Sequence, residues 1–538
     1  MTQPPTPPSS SPPALSETHR ISRAAGVIGG ATFISRILGF IRDMALANLF
    51  GANAAADAFY IAYRIPNLLR ELFAEGSMSS AFIPVFTQYH STKSPKEAWA
   101  LANAAFTTLL TLVTLVTILG ILSAPGIVWL LAPGFRENAS KLATTTLLTQ
   151  IMFPYLIFVS LAALAMGILN ALRSFVVPAL APVFFNICVI LFAVVISPVF
   201  DQPILAVAVG IVMGGLAQFL MQLPGLHKKG FCFSLNFCPE HPGIKKMGVL
   251  IIPSLLGLAV TQINLTVSTI LASYFQGGPT YLFYGMRLIQ FPLGIFGVAM
   301  ATAILPSLSA QAARGSLTEL RETVNFGLRM VLFIIVPSMA GLICLRIPII
   351  HLFFEHGAFS AQDTIGTASA LLGFSIGLWA FASYRILATT FYSIQDTRTP
   401  AIVAILSVGA NIGLSLWLMT PLGHMGLALA AGLAAIFNTL VLIAILHQRL
   451  QGILWSTLGS SIARTILALA PLIGLTLWIA SLPIWQAQGE LRLKILWLTV
   501  AMAGGALGYF GVHQLLHSPE LEHFKGMIRK KMPHTGQS

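Results

Sequence analysis

The chain has 538 residues, 56% hydrophobic and only 9% charged, with a net charge of +13 and a mean hydropathy of +0.83. Soluble domains carry about 25% charged residues, so this composition excludes a soluble globular protein and defines an integral membrane protein. The apolar runs are continuous and long enough to span as helices, which excludes a barrel. No soluble segment alternates basic residues with aromatics, so the positive charge is assigned to cytoplasmic loops and anionic lipid rather than to nucleic acid.

Residues 1–22 are rich in Pro and Ser with no apolar h-region and are expected to form a disordered cytoplasmic tail, not a signal peptide. An N-lobe follows over 23–224, with spans expected at 24–50, 54–89, 98–122, 142–172, 175–200 and 203–223. A basic cytoplasmic linker covers 225–246. The C-lobe, 247–450, holds spans at 247–275, 281–308, 320–345, 364–392, 400–419 and 425–446; the stretch 345–359 is a candidate re-entrant segment. Two further spans, 462–482 and 493–516, lie within 460–518, and a basic tail covers 519–538. The expected class is thus an all-α polytopic membrane protein of about fourteen helices, two six-helix lobes plus two extra. Span 2 would run about 54 Å if straight, so Pro66, Gly76 and Pro84 are candidates to bend or break it.

Lysine and arginine placement sets orientation. With the N-terminus inside, Lys93, Lys96, Arg173, Lys228, Lys229, Lys245, Lys246, Arg314, Arg321, Arg398, Arg449 and the tail lysines are cytoplasmic; outside remain only Arg136, Lys141, Arg346, Arg492 and Lys494. Both termini are then cytoplasmic.

The halves repeat one another. From Arg64 to Pro84 is 20 residues, and from Arg287 to Pro306 is 19. The run from Pro178 to Asn186 has an echo from Pro400 to Asn411. These matches pair span 2 with span 8 and span 5 with span 11, an offset of six helices, so the repeat is parallel.

Charged residues inside spans carry the functional signal. Span 1 has Ser35, Arg36, Arg42 and Asp43; span 2 has Asp57, Arg64, Asn67, Arg70, Glu71 and Glu75; span 8 has Arg287. An arginine at mid-bilayer costs at least about 2.5–3.5 kcal/mol. One such residue has a structural explanation, an ion pair between helices or a snorkelling end. Several on equivalent repeat elements point to a water-filled cavity for an anion, since the guanidinium fork suits carboxylates and phosphates. Arg36, Arg70 and Arg287 are the expected anion ligands. Glu75 is either an arginine partner or a proton relay. Asp396, at a helix entrance, is either an N-cap or a cation ligand. Neither a phosphate-binding loop nor a metal-spaced cluster of His and acids occurs in the sequence, so neither an enzyme nor a cofactor is expected. Cys232 and Cys238 share the basic linker with His241 in no standard zinc spacing.

The motifs Phe33-Ile-Ser35-Arg36-Ile-Leu-Gly39-Phe-Ile-Arg42-Asp43, Pro66-Asn67-Leu-Leu-Arg70-Glu71-Leu-Phe-Ala-Glu75-Gly76, Ala81-Phe-Ile-Pro84, Ile304-Leu-Pro306 and Gln395-Asp396-Thr-Arg-Thr-Pro400 resemble those of the MurJ (MviN) lipid II flippase family, over residues 22–516. The resemblance implies a fourteen-helix exporter of the multidrug/oligosaccharidyl-lipid/polysaccharide superfamily in the bacterial cytoplasmic membrane. The implied substrate is lipid II, the undecaprenyl-diphosphate-linked peptidoglycan precursor; membrane lipids and other cell-wall synthesis proteins are implied partners. It places cavity arginines at Arg36, Arg42, Arg70 and Arg287, cavity acids and polar groups at Ser35, Asp43, Asp57 and Glu75, and a lipid-tail groove on the last two spans. The chain departs from the family at Met286, where many members carry an acid, and offers neutral Gln262 and Asn264 on span 7. A drug/cation antiporter of the same superfamily and a flippase for another polyprenyl-linked oligosaccharide are the rival readings.

Overall fold

The computed structural model describes residues 14–71, 77–238, 240–485 and 489–531. The regular structure of these residues is helical, with no strand among them. In the first half, α1 (Ala14–Phe50), α2 (Ala54–Arg70), α3 (Ser77–Thr92), α4 (Pro95–Leu131), α5 (Ala139–Met152), α6 (Tyr155–Ala171), α7 (Val176–Leu191) and α8 (Pro203–Leu220) lead to the short α9 (Leu223–Lys228). The second half opens with α10 (Pro242–Ala272), α11 (Gly278–Pro292), α12 (Val298–Ala313), α13 (Leu317–Cys344) and the eight-residue α14 (Arg346–Phe353). It continues with α15 (Ala361–Ile376), α16 (Leu378–Ser393), α17 (Arg398–Leu422), α18 (His424–Arg449), α19 (Trp455–Ala480), α20 (Leu491–Leu515) and α21 (Pro519–Lys531).

Among the described residues ten helical stretches are long and apolar enough to cross a membrane, and eleven if α15 and α16, bent by 41° at Gly377, form one broken span. The other expected spans fall on α1, on α2 with α3, and on α10, each partly outside the residues whose side chains are described; about fourteen spans is consistent with this. The segment 345–359 becomes the short α14 and a loop, with Ile349, Ile350 and Phe354 buried. Span 2 is helical at both of its prolines, Pro66 inside α2 and Pro84 inside α3; α2 ends at Arg70, with Glu71 in a widened π-type turn, and Gly76, the third candidate, lies outside the described residues. Pi-type widening recurs at Leu293–Gly297, between α11 and α12, the counterpart region of the second half.

Packing divides the chain into two compact units. The first takes in α1 as far as Ala45, Tyr63–Ala124 and Leu148–Leu256. Its core is built by α3, α4, α6 and α9, with Phe82, Phe86, Leu101, Leu164 and Ile168 fully buried. Small residues set the separations here: a Cβ on Gly214 of α8 would meet the Phe185 ring of α7 at 2.8 Å. The second unit takes in Leu46–Ala62, Pro125–Leu147 and everything from Gly257 onward. There the break between α15 and α16 touches α18 backbone to backbone, since a Cβ on Gly377 would lie 2.4 Å from the Gly432 Cα. The last helices join the second unit through Phe333, Ala468, Leu472, Tyr509 and Leu521.

Candidate functional site

In the first unit α1 and α7 build a polar cluster inside apolar helices. Asp43 is fully buried, and Arg42 donates to its Oδ1 from Nε at 3.0 Å and from Nη2 at 2.7 Å. Nη1 of Arg42 donates to Asn186 Oδ1 of α7 at 3.2 Å, and its guanidinium carbon lies 6.0 Å from the Phe185 ring centroid. Asn186 Nδ2 donates in turn to the Ser35 carbonyl at 3.2 Å, tying α7 to α1 two turns earlier. Arg42, Asp43 and Ser35 therefore belong to one network, and Asn186 is the residue that joins them. The guanidinium is thus held on two sides, its Nε and Nη2 on Asp43 and its Nη1 on Asn186.

A second group lies on α2. Arg70 Nε donates to Asn67 Oδ1 at 3.1 Å, and Asn67 Nδ2 donates to Glu71 Oε1 at 2.9 Å. The spacing of three and four residues puts these groups on one helix face, with Asn67 bonded to both Arg70 and Glu71. Arg36 is exposed on α1, and Arg287 is half-buried on α11 in the second unit. Glu75 lies outside the described residues.

Asp57 sits in a different setting. It is fully buried in the second unit, where Lys141 Nζ donates to its Oδ2 at 2.8 Å and the Gly277 amide at 2.9 Å; Thr280 Oγ1 donates to its Oδ1 at 2.8 Å. Lys141 also stands over the Phe135 ring, 3.9 Å from its centroid. Gly277 offers that amide from a left-handed conformation, φ +73°, at the start of α11, where a Cβ would strike the Tyr281 ring at 2.6 Å. One turn along, Tyr60 Oη lies 2.8 Å from Tyr284 Oη, and Tyr60 stacks on Phe283 with centroids 4.2 Å apart.

Asp396 accepts from the Thr399 amide at 3.0 Å and from its hydroxyl at 2.7 Å, and pairs with Arg449 at 2.9 Å. These bonds hold its carboxyl below the usual range, the Thr399 hydroxyl contributing most, and they fit the capping role. No group of three His, Cys, Asp or Glu residues placed to hold a metal occurs among the described residues.

Sequence reasoning passed over Asn186 as a partner of Arg42 and used Lys141 only for topology. The signal for Asn186 was there, as a lone amide in an apolar run repeated at Asn411. The second unit shows the same use: Asn411 Nδ2 donates to Asn264 Oδ1 of α10 at 2.6 Å, as Asn186 ties α7 to α1 in the first.

This fold, with charged groups held inside apolar helices, defines a polytopic helical transporter. A multidrug MATE family transporter of the MOP superfamily, in an inward-facing conformation, shares the fold at a TM-score of 0.65 and 14% identity, covering 79% of this chain and 98% of that one. The family profile Lipid II flippase MurJ matches residues 46–495, and the chain belongs to that family. The Probable lipid II flippase MurJ of Vibrio cholerae serotype O1 is 38% identical over 508 residues, 92% of this chain and 96% of the relative. The Lipid II flippase MurJ of Burkholderia cenocepacia is 36% identical over 433 residues, 79% and 84% of the two chains. A solved lipid II flippase MurJ in an inward closed conformation aligns at a TM-score of 0.75 and 27% identity, over 91% of this chain and 98% of that one.

Proposed function

We propose that this protein is a lipid II flippase that moves the undecaprenyl-diphosphate-linked peptidoglycan precursor from the inner to the outer leaflet of the bacterial cytoplasmic membrane by alternating access. It is a transporter, not an enzyme. The observation that carries this reading is the family match across residues 46–495, together with relatives covered over most of their length.

The chemistry of the charged groups supports it. A diphosphate takes planar bidentate donors where water is scarce, and Arg36, Arg42, Arg70 and Arg287 are assigned to that task. Asn186, Asp43, Ser35, Asn67 and Glu75 orient or balance them. Asp57, with Lys141, holds the first turns of α2 to the start of α11 and acts on the conformational cycle rather than on the diphosphate. Both termini and the 225–246 linker are placed in the cytoplasm by lysine and arginine asymmetry. The experiment is depletion of the protein in cells with the leaflet of each lipid-linked precursor measured: lipid II accumulates on the inner leaflet. Accumulation of a different polyprenyl-linked glycan, with lipid II normally exposed outside, would overturn the assignment.

A further inference from the structure

The linker after α9 is fastened to the first unit in a way the transport reading does not use. Asn103 and Thr107, one turn apart on α4 and both buried, spend their side chains on the linker backbone. Asn103 Nδ2 donates to the Cys232 carbonyl at 3.1 Å, the Ser234 amide donates to Asn103 Oδ1 at 2.8 Å, and the Asn236 amide donates to Thr107 Oγ1 at 3.1 Å. Phe231 anchors the start, buried against Trp99 and Phe106 with centroids 5.6 Å and 5.2 Å away. These bonds hold the backbone at Cys232, Ser234 and Asn236; between and after them stand Phe233, Leu235 and Phe237, with the Phe233 ring edge-on to Phe106 of α4, centroids 6.2 Å apart. Phe233, Leu235 and Phe237 are 53%, 78% and 61% exposed.

The direction of the segment matters. It descends α4 from Asn103 towards Thr107, about 6 Å along the axis. The exposed apolar stripe of α4, Leu112, Leu115, Ile118, Leu119 and Leu122, begins little more than one turn further on. A stripe of that kind on a spanning helix faces lipid tails. Phe237 therefore approaches the level where lipid contact begins, while Lys228, Lys229 and Lys245 are exposed at the two ends of the linker; Glu240 is the exposed acid between them. Lys246 is engaged with Gln88, 2.8 Å from its Oε1.

We propose that residues 231–237 form an interfacial strap: Phe233, Leu235 and Phe237 seat in the bilayer surface of the cytoplasmic leaflet, and Lys228, Lys229 and Lys245 bind the phosphates of anionic phospholipids there. Aromatic and aliphatic side chains flanked by lysines suit that boundary, which pairs an apolar edge with negative charge. The strap fixes the segment between α9 and α10 to the membrane. The side assignment rests on the cytoplasmic placement of the linker.

The test uses full-length protein with its four cysteines replaced by serine, labelled with an environment-sensitive fluorophore at Leu235→Cys or, as control, at Glu97→Cys on the exposed start of α4. In vesicles containing nitroxide lipids labelled near the headgroup, quenching at 235 is expected to be severalfold stronger than at 97. It strengthens when phosphatidylglycerol is added to phosphatidylcholine, and K228Q/K229Q/K245Q removes that gain. Equal quenching at 235 and 97 would overturn the strap, and a gain unchanged in the triple variant would overturn the lysine site. Labelling of Glu97→Cys by an impermeant maleimide in inverted rather than right-side-out vesicles checks the side separately. The reversed pattern with quenching intact at 235 would overturn the topology and not the seating.

Discussion

The Asp57 carboxylate and the Thr280 hydroxyl meet at 2.8 Å although they stand 223 residues apart in the chain. The same separation relates Arg64 to Arg287 and Tyr60 to Phe283. Asp57 and Thr280 are thus counterparts in the internal repeat, bonded to each other, and Tyr60 stacks on its own counterpart one turn along. Residues meet their own counterparts where a two-fold axis passes between them, so a local pseudo-axis runs between the first turns of α2 and of α11. The repeat read from Arg-to-Pro spacing is a packing relation here, but not a symmetric one: Asp57 faces Thr280, and Lys141 supplies the charge that the second half does not.

Removing one member of a buried ion pair leaves the other charge uncompensated, a loss of about 3–5 kcal/mol. Lys141→Met should therefore lower the melting temperature in detergent sharply, and Asp57→Asn in the same chain should restore most of it. If the double variant melts no higher than Lys141→Met alone, the pair does not set local stability.

Arg36→Ala, Arg70→Ala and Arg287→Ala should each abolish growth as sole copies while the protein still accumulates in the membrane. Lysine should rescue poorly, because it lacks the planar fork. Normal growth of all three alanine variants would remove them from the anion site.

Asn186→Leu tests the orientation of Arg42. Losing the amide frees one side of the guanidinium and breaks the tie to Ser35, so precursor flipping should fall by about tenfold or more, as misplaced positioning groups do, with membrane insertion retained. Asn186→Asp, which keeps the acceptor, should flip faster than Asn186→Leu; equal rates would mean that the amide is a packing residue only.

Glu520 of α21 is paired with Arg329 of α13 and lies 3.6 Å from Arg464 of α19. Burial favours its neutral form, but hydrogen bonds from Ser518, its own backbone, Arg329 and Ser461 outweigh this and hold it at about 2, against an ordinary 4.5. A depressed carboxyl stabilises the fold above its unfolded value and loses that contribution as pH falls towards the folded one. The melting difference between the native chain and Glu520→Gln should be full at pH 7 and begin to shrink below about pH 4.5. A difference constant from pH 7 to pH 3 would show that the ionised form is not what matters.

Transport should depend on membrane potential. Two diphosphate charges moving outward across an inside-negative potential of about 100 mV gain roughly 5 kcal/mol, and the empty carrier returns its arginines inward with the same field. Selective collapse of the potential should strand the precursor on the inner leaflet. Flipping that continues without a potential and stops only with the pH gradient would favour a proton-coupled cycle.

Span positions, the charged residues inside them and the repeat were all legible in the sequence, for one physical reason. A bilayer forces backbone hydrogen bonds to close within each helix and makes every buried charge costly, so length, hydropathy and stray arginines record the architecture directly. The resemblance of the long arginine-bearing motifs supplied the family. Partner choice was not legible. Asp57 and Lys141 are 84 residues apart, Arg42 and Asn186 144 apart, and Asn103 and Ser234 131 apart; helical periodicity says which face a residue takes but not which helix meets that face. Pro66 and Pro84, read as candidate breaks in span 2, lie inside α2 and α3, because prolines are tolerated within spanning helices whose neighbours satisfy the freed carbonyls. Which residues stay exposed, which clasp an ion pair and which hold a guanidinium in place depends on side chains brought together by packing, and only the tertiary structure decided it.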